Sequence, residues 1–542
     1  MTFQLKLTLS AVVLLRVLDS QVVESAPFVI NTNLQIRLVM NTKDGVPAYS
    51  IRVAKDPRNH QLYYAKMNGF IYRLNSLPDT GVASSAIIYN STDHGISEGA
   101  QGMTIGPDGT IYFVANAPTS DGNSTVARIM KGVPNANGTR TWKLLAKTDP
   151  YPRSKTAFDH VFNGVVVSPD GNHIYVNSGS RTDHGEVQSG GGAFPGTREV
   201  PLTAKILRLP ASGLDLVLPN DANALRNAGY IFCEGIRNAF DMAFAPNGDL
   251  FGTENGPDRD MSEELNWLRP GLHYGFPWRI GGTDNPQQFR NYDPSRDRLL
   301  DHRFLAYLAG YYHDDPTFPP PPANLTEPVI NAGPDADSYR DATDGSIKDA
   351  SEQGRKVSTF TAHRSPLGLV FDTAGAMAPP FQHHAFVLSW TAGDASGASV
   401  PGPFKDASED LLDVDLTRLG DTNYQARITR LVGGFLNPID AEIIGNRIYV
   451  LEYGGNQGLW EVSFPPNPSQ PAAVEILSPA IRGNDFSFAF ATEAGQRYEV
   501  QFAASLNPTA WNTFTNFTGN GAMLIVSGPV TGMQRFYRVS AK

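Results

Sequence analysis

The chain has 542 residues with a formal net charge of -10 and a sequence pI near 5.6, which excludes an extended basic surface of the kind that binds nucleic acid. Its length exceeds one ordinary core and points to more than one domain. The 51 glycines and 40 prolines with 18% charged residues describe a turn-rich chain of many short strands, and a single cysteine, Cys233, rules out an intrachain disulfide and reads as a packed thiol.

Lys6 followed by the apolar run Leu7 to Leu15, with small residues at Ser25 and Ala26, predicts a secretory leader over 1–26 and a periplasmic or secreted protein. No later stretch reaches the ~18 apolar residues of a membrane span.

From residue 27 a repeat emerges, in which a turn of the Pro-Asp-Gly type leads into an apolar, aromatic strand. Its first four copies are Asp56-Pro57-Arg58-Asn59 before Leu62, Gly106-Pro107-Asp108-Gly109 before Ile111, Ser168-Pro169-Asp170-Gly171 before Ile174, and Ala245-Pro246-Asn247-Gly248 before Leu250. Looser copies precede Ala385 and Ile448, making six. Further strands of recurring form follow, such as Gly69 to Leu74, Ala204 to Leu209 and Gly458 to Val462. One hairpin cannot bury its own apolar face, so the units must stack; radial stacking protects their edges and predicts an all-β, six-bladed β-propeller over 27–464. An unclosed β-solenoid accommodates the irregular unit lengths poorly.

Between Gly310 and Gly354 the rhythm breaks at Pro319 to Pro322 and an Asp-rich run through Asp335, Asp337, Asp341 and Asp344, which reads as a long surface loop without calcium-loop spacing. Pro465 to Pro471 marks a linker, 465–472. Beyond it, Phe486 to Phe490, Tyr498 to Phe502 and Phe536 to Val539 alternate with period two and predict a small C-terminal β-sandwich, 473–542, with an adhesive or stabilising role.

Chemistry concentrates in two segments. One is Asp159-His160-Val161-Phe162-Asn163-Gly164 ahead of the third turn. The other runs from Gly235-Ile236-Arg237-Asn238 through Thr253-Glu254-Asn255-Gly256-Pro257 and Glu264-Leu265-Asn266 to Gly271-Leu272-His273-Tyr274-Gly275-Phe276-Pro277. In order and spacing these resemble the soluble quinoprotein glucose/sorbosone dehydrogenases, and more closely their sorbosone-dehydrogenase-like branch. Ser97 to Met103 and Ala362 to Leu369 resemble further segments of the same family, and the resemblance covers about 45–464.

The resemblance implies an exported oxidoreductase that uses pyrroloquinoline quinone and calcium to oxidise a sugar or related polyol, passing electrons to an external acceptor. His160 stands where the base would be, and Arg237 and Asn238 are its partners toward a quinone oxygen. Glu98, His363 and Arg364 are added as cofactor-binding residues, and Gly256, Pro257, Glu264 and Tyr274 as calcium ligands. A brace between blades through carbonyl contacts is the alternative role for Arg237.

The sequence departs from the family where the cofactor's carboxylates would be met. Gly434 to Asp440 lacks the late-blade arginines, Ala385 to Gly393 lacks a lysine, and Ser180 replaces an aspartate near the base, leaving Asp183 to orient His160. Two other classes therefore stay open: a noncatalytic propeller that binds carbohydrate or protein and has lost tight quinone binding, and a calcium-dependent hydrolase like the lactonase propellers.

Overall fold

The computed structural model describes residues 26–541 except 79, 392–403, 405, 469–473, 475, 493, 506–510 and 531–533, so the expected leader lies outside the described residues apart from Ala26. The chain divides into two compact units at Pro465/Pro466.

Unit one is the six-bladed propeller. Its innermost strands are Ser50–Lys55, Ala100–Ile105, Phe162–Val167, Ala239–Phe244, Pro366–Phe371 and Pro438–Ile444. Each packs on the next, and the sixth returns to the first. Every inner strand pairs antiparallel with a second strand across one of the expected turns: Leu62–Lys66, Ile111–Pro118, His173–Ser178, Leu250–Glu254, Ala385–Ser389 and Arg447–Glu452. In Gly171 and Gly248 these turns place φ at 74° and 88°, a region that costs glycine little. The outer strand of blade 6 is Gln35–Asn41, from the start of the unit, paired with Gly458–Ser463 from its end; this strand exchange closes the ring.

The blades stack through apolar side chains on both sheet faces. Between blades 4 and 5, Phe251, Leu265, Phe360, Leu369, Val387 and Leu412 form one buried cluster. Cys233 is buried in another.

The central channel is plugged. Arg52, on the inner strand of blade 1, is 2% exposed and reaches across the axis. Its Nε donates to the Gln101 carbonyl of blade 2 at 2.8 Å, and its Nη2 to the Phe240 carbonyl of blade 4 at 2.5 Å. Asp241 and Asp440, on the inner strands of blades 4 and 6, flank its Nη1 at 3.8 and 3.7 Å. Burial pushes both carboxyls above the usual range, Asp241 to about 6, and the guanidinium opposes that rise.

One expectation is corrected. The 310–354 segment is not all loop: Ile330–Pro334 adds in parallel to the outer strand of blade 5, Asn423–Gly433, and Ser338–Arg340 pairs with Ile347–Asp349. Two of its aspartates work inside the fold, Asp335 accepting the Arg430 N–H at 2.8 Å and Asp337 the Ser351 N–H at 2.9 Å. These strands are short and flanked by turn residues, so pairing defines them and not local pattern, with a distant partner for Ile330–Pro334 and within a hairpin for Ser338–Arg340.

Unit two consists of two three-stranded antiparallel sheets. Asp485–Ala491 lies between Leu477–Arg482 and Met523–Pro529, and Arg497–Ala503 lies between Asn512–Thr518 and Phe536–Ala541. Phe486, Phe488, Phe490, Tyr498, Val500 and Val526 fill its core, the alternate positions of the period-two pattern.

Candidate active site

Inner strands begin, and second strands end, at the same face of the propeller, so residues flanking those points gather around one end of the channel. His160 precedes the blade 3 inner strand and Ser180 follows its partner, while Arg237 and Asn238 precede the blade 4 inner strand and Asn255 follows its partner. Backbone bonds join the two blades there. The His160 N–H donates to the Ser180 carbonyl at 2.9 Å, and the Ser180 N–H to the Arg237 carbonyl at 2.6 Å.

Gly179 sets how closely these parts approach. A Cβ built there would lie 2.4 Å from the His160 Cβ and 3.0 Å from the Asn238 Oδ1, so this residue lets base and amide sit side by side. Gly179→Ala is expected to cost about 1–3 kcal/mol, the usual penalty of overpacking, and to displace His160; a melting temperature equal to wild type would contradict this packing.

The His160 Nδ1 lies 3.2 Å from the Ser180 Oγ, and its Nε2 has no protein partner among the described residues. Burial and the Arg237 charge push the imidazole down to about 3, so it is neutral at physiological pH. Arg237, 3% exposed, donates from Nε to the Asp183 carbonyl at 2.7 Å, from Nη2 to the Asp183 Oδ1 at 3.0 Å and from Nη1 to the Asn255 carbonyl at 3.2 Å. Asp183 therefore orients Arg237, and not His160 as the sequence suggested. Asn238 belongs to a chain of buried amides: its Oδ1 accepts from Asn163 at 2.8 Å and Asn177 at 3.1 Å, and its Nδ2 donates to Asn255 at 2.8 Å. Such a network holds Asn238 from both ends of its amide, through Asn163 and Asn177 on the oxygen and Asn255 on the nitrogen.

With this corner defined, the comparisons with known proteins bear on it directly. Residues 68–297 match the family model described as Glucose / Sorbosone dehydrogenase. Over this segment the chain is similar to the glucose/sorbosone dehydrogenase family. It contains His160, Ser180, Asp183, Arg237 and Asn238 and stops before the inner strands of blades 5 and 6. Over 98 residues the chain is 33% identical to quinoprotein glucose dehydrogenase B of Acinetobacter calcoaceticus, a match covering 18% of this chain and 20% of that protein, so the chain spans about a fifth of this relative's length. Among solved structures, the soluble aldose sugar dehydrogenase of Escherichia coli in its apo form aligns over 79% of this chain and 99% of its own, with 16% identity and a TM-score of 0.48. The PQQ domain of pyranose dehydrogenase from Coprinopsis cinerea aligns over 81% and 97%, with 14% identity and a TM-score of 0.48.

The remaining expected residues do not join the corner in the same way. Glu98 is exposed ahead of the blade 2 inner strand. The His363 Nε2 sits 2.8 Å from the Asp260 Oδ1 and its ring stacks on Phe304, and the same Asp260 is held by Arg340. Arg364, expected to meet the cofactor, is consumed inside blade 5: it is 1% exposed and binds the Asp406 Oδ2 at 2.8 Å, the Asp410 Oδ2 at 2.6 Å, the Ala407 carbonyl at 2.6 Å and the Ser389 Oγ at 3.1 Å. Those carboxylates lie more than 40 residues along the chain, so the sequence around Arg364 carries no sign of them.

The four expected calcium ligands likewise have protein partners. Glu264 faces Glu254 across the blade 4 ladder; its Oε1 accepts the Gly281 N–H at 2.6 Å, and the Asn266 Nδ2 donates 2.8 Å bonds to both carboxylates. The Tyr274 hydroxyl donates to the Trp267 carbonyl at 2.5 Å and accepts the Arg269 N–H at 2.7 Å. The Gly256 N–H binds the Glu263 Oε1 at 3.1 Å, and the Pro257 carbonyl accepts the Arg259 N–H at 2.7 Å. Among the described residues no group of three or more His, Cys, Asp or Glu side chains is disposed to hold a metal ion. Sequence reasoning named Asp183 but missed that it holds Arg237, and it missed the rest of the turn Thr182 to Glu186; four polar residues shortly after a second strand were the available signal.

Proposed function

We propose that this corner oxidises a hydroxyl or hemiacetal carbon of a sugar or related polyol, with pyrroloquinoline quinone as the group it holds. The observation that carries the reading is His160: a neutral imidazole whose Nδ1 lies against Ser180 and whose Nε2 has no hydrogen-bond partner among the described residues. The donor set fits the carbonyl oxygens of a quinone, since Arg237 keeps two guanidinium N–H groups beyond those bound to Asp183 and Asn255, and Asn238 adjoins it. His160, Arg237 and Asn238 would hold the group there, and the backbone carbonyls of Gly256 and Pro257, just beyond the blade 4 second strand, are oxygen donors of the kind a calcium ion takes.

When bound, such a quinone supplies the two-electron acceptor for hydride leaving the substrate carbon. The chain's own part is proton handling and alignment. The His160 Nε2 takes the hydroxyl proton, and Ser180 fixes the ring plane. Arg237, immobilised by Asp183, stabilises negative charge developing on an oxygen in front of it. Ring neutrality matters because an imidazolium has no lone pair to accept a proton, and a depressed proton affinity keeps that lone pair available. Export to the periplasm or the medium and transfer of electrons to an external acceptor complete the proposal. Among the described residues no helix is long and apolar enough to cross a membrane.

The test is reconstitution of purified protein with calcium and the quinone, followed by bound-quinone absorbance and sugar-dependent dye reduction. Both signals are expected, and loss of both would sink the reading. The commitment of Arg364 to Asp406 and Asp410 favours one second reading, a carbohydrate-binding propeller without redox chemistry, for which sugar binding persists and dye reduction is absent.

A further inference from the structure

His184 stands in the turn beyond the blade 3 second strand, 1% exposed and unused by the mechanism above. Its Nδ1 faces the Asp183 Oδ2 at 2.9 Å and the Glu186 Oε2 at 3.5 Å. Its Nε2 faces the Gln287 Oε1 at 3.2 Å. The His313 backbone N–H points at that same oxygen at 3.0 Å, and because an N–H must be met by an acceptor, the Gln287 amide orientation is fixed. Both ring nitrogens therefore face oxygen acceptors. A neutral imidazole has only one N–H and would set a lone pair against an oxygen; the imidazolium satisfies both. The Tyr312 ring lies parallel to it at 3.7 Å and 9°, an arrangement that favours a cation.

The surrounding charges alternate. Asp183 and Glu186 come from the same turn as His184, with Arg181 just before it; Arg237 and Asp258 come from blade 4, and Gln287 and Tyr312 come from 285–313, an insertion between the blade 4 strand Glu264–Leu268 and Ile330–Pro334. The second oxygen of Asp183 accepts from the Arg237 Nη2 at 3.0 Å, so a line of cation, carboxylate and cation runs from the insertion to the Arg237 that neighbours His160.

We propose that His184 is a standing imidazolium that positions Arg237 through Asp183, and that the 285–313 insertion completes the active corner by supplying the acceptor that keeps His184 charged. His184 touches no reacting atom; it is a positioning residue, and its link to catalysis rests on the reading of His160 and Arg237 given above. Without it, Asp183 would keep Arg237 as its ion-pair partner beside Asp258, and Glu186 would be left to the buried Arg181. The direction of its proton affinity agrees: burial opposes the charge, yet Glu186, Asp183 and Gln287 together raise it above the ordinary histidine value.

Nitrogen-15 spectra of histidine and arginine side chains in the full chain test this without quinone or sugar, so their failure is separable from failure of the dehydrogenase reading. At ~pH 7.5, about one unit above the ordinary histidine value, both His184 nitrogens are expected to carry protons. In Gln287→Met the Nε2 loses its acceptor and the ring is expected to deprotonate at lower pH than in wild type. In His184→Gln the Arg237 Nε–H is expected to exchange with solvent at least ~10-fold faster, the effect of ~1.4 kcal/mol lost from its restraint. A bare nitrogen on His184 in the wild type at that pH overturns the proposal, as does an Arg237 signal indifferent to His184→Gln. Should His184→Gln fail to fold, the Gln287→Met titration decides alone: an unshifted midpoint counts against the insertion's role.

The same charge predicts a stability profile. Because the folded proton affinity is raised, the stabilisation is complete below the unfolded histidine value of ~6.5 and is lost as pH rises through the folded one. Thermal unfolding of Gln287→Met is therefore expected to show its alkaline loss earlier than wild type.

Discussion

Replacing Arg52 with methionine is expected to lower the unfolding free energy by about 3–5 kcal/mol, the range for removing one partner from a buried ionic group. The substitution keeps an unbranched apolar stem but removes the guanidinium, which strands Asp241 and Asp440 without their cation and frees the carbonyls of Gln101 and Phe240. Blades 2, 4 and 6 lose their shared partner from blade 1 at once. Urea unfolding of the propeller transition measures this, and a midpoint within error of wild type would show that the plug is dispensable. The deficit carries a pH signature. Loss of Arg52 raises the carboxyl proton affinities further, so the variant gains relative to wild type as pH falls and both acids protonate. Adding Asp241→Asn and Asp440→Asn to the methionine variant is expected to restore much of the loss.

The largest functional effect is expected at His160. His160→Ala in the reconstituted protein should reduce sugar-dependent dye reduction at least ~100-fold, the lower end for removal of a general base, while leaving the thermal transition close to wild type. Bound quinone should fall less than turnover, because Arg237 and Asn238 remain. Since the imidazole is neutral down to about 3, the acid limb of the wild-type rate profile should not carry a midpoint at the ordinary histidine value. Retained turnover in the alanine variant would remove His160 from the proposed role.

The framework of the propeller was legible because its punctuation is local. Pro-Asp-Gly turns and the strands after them occupy consecutive residues, and all six second strands fall where those turns placed them. The corner was legible in part for the same reason, since His160, Arg237 and Asn238 lie in short contiguous motifs at strand starts. Their partners were not. Arg364 meets Asp406 and Asp410, His184 meets Gln287 and Arg52 meets Asp440, and each pairing spans tens to hundreds of residues that only the folded chain brings together. Whether an arginine is a free ligand for an anion or a spent structural cation is set by such pairings, which no window of sequence contains. The reading of Arg364 failed on that account, and the assignment of Asp183 to His160 failed because neighbouring turn residues can face either way.

The strand exchange in blade 6 also orders events in time. Residues 35–41 leave the ribosome hundreds of residues before 458–463, with which they pair, so the early strand must wait with an unpaired edge while five blades accumulate. Closure is then a late, long-range step of high contact order, slow by nature, and a nascent or truncated chain that ends before residue 458 presents that edge to any passing strand. Aggregation during synthesis, more than melting of the finished ring, is where this architecture is most exposed.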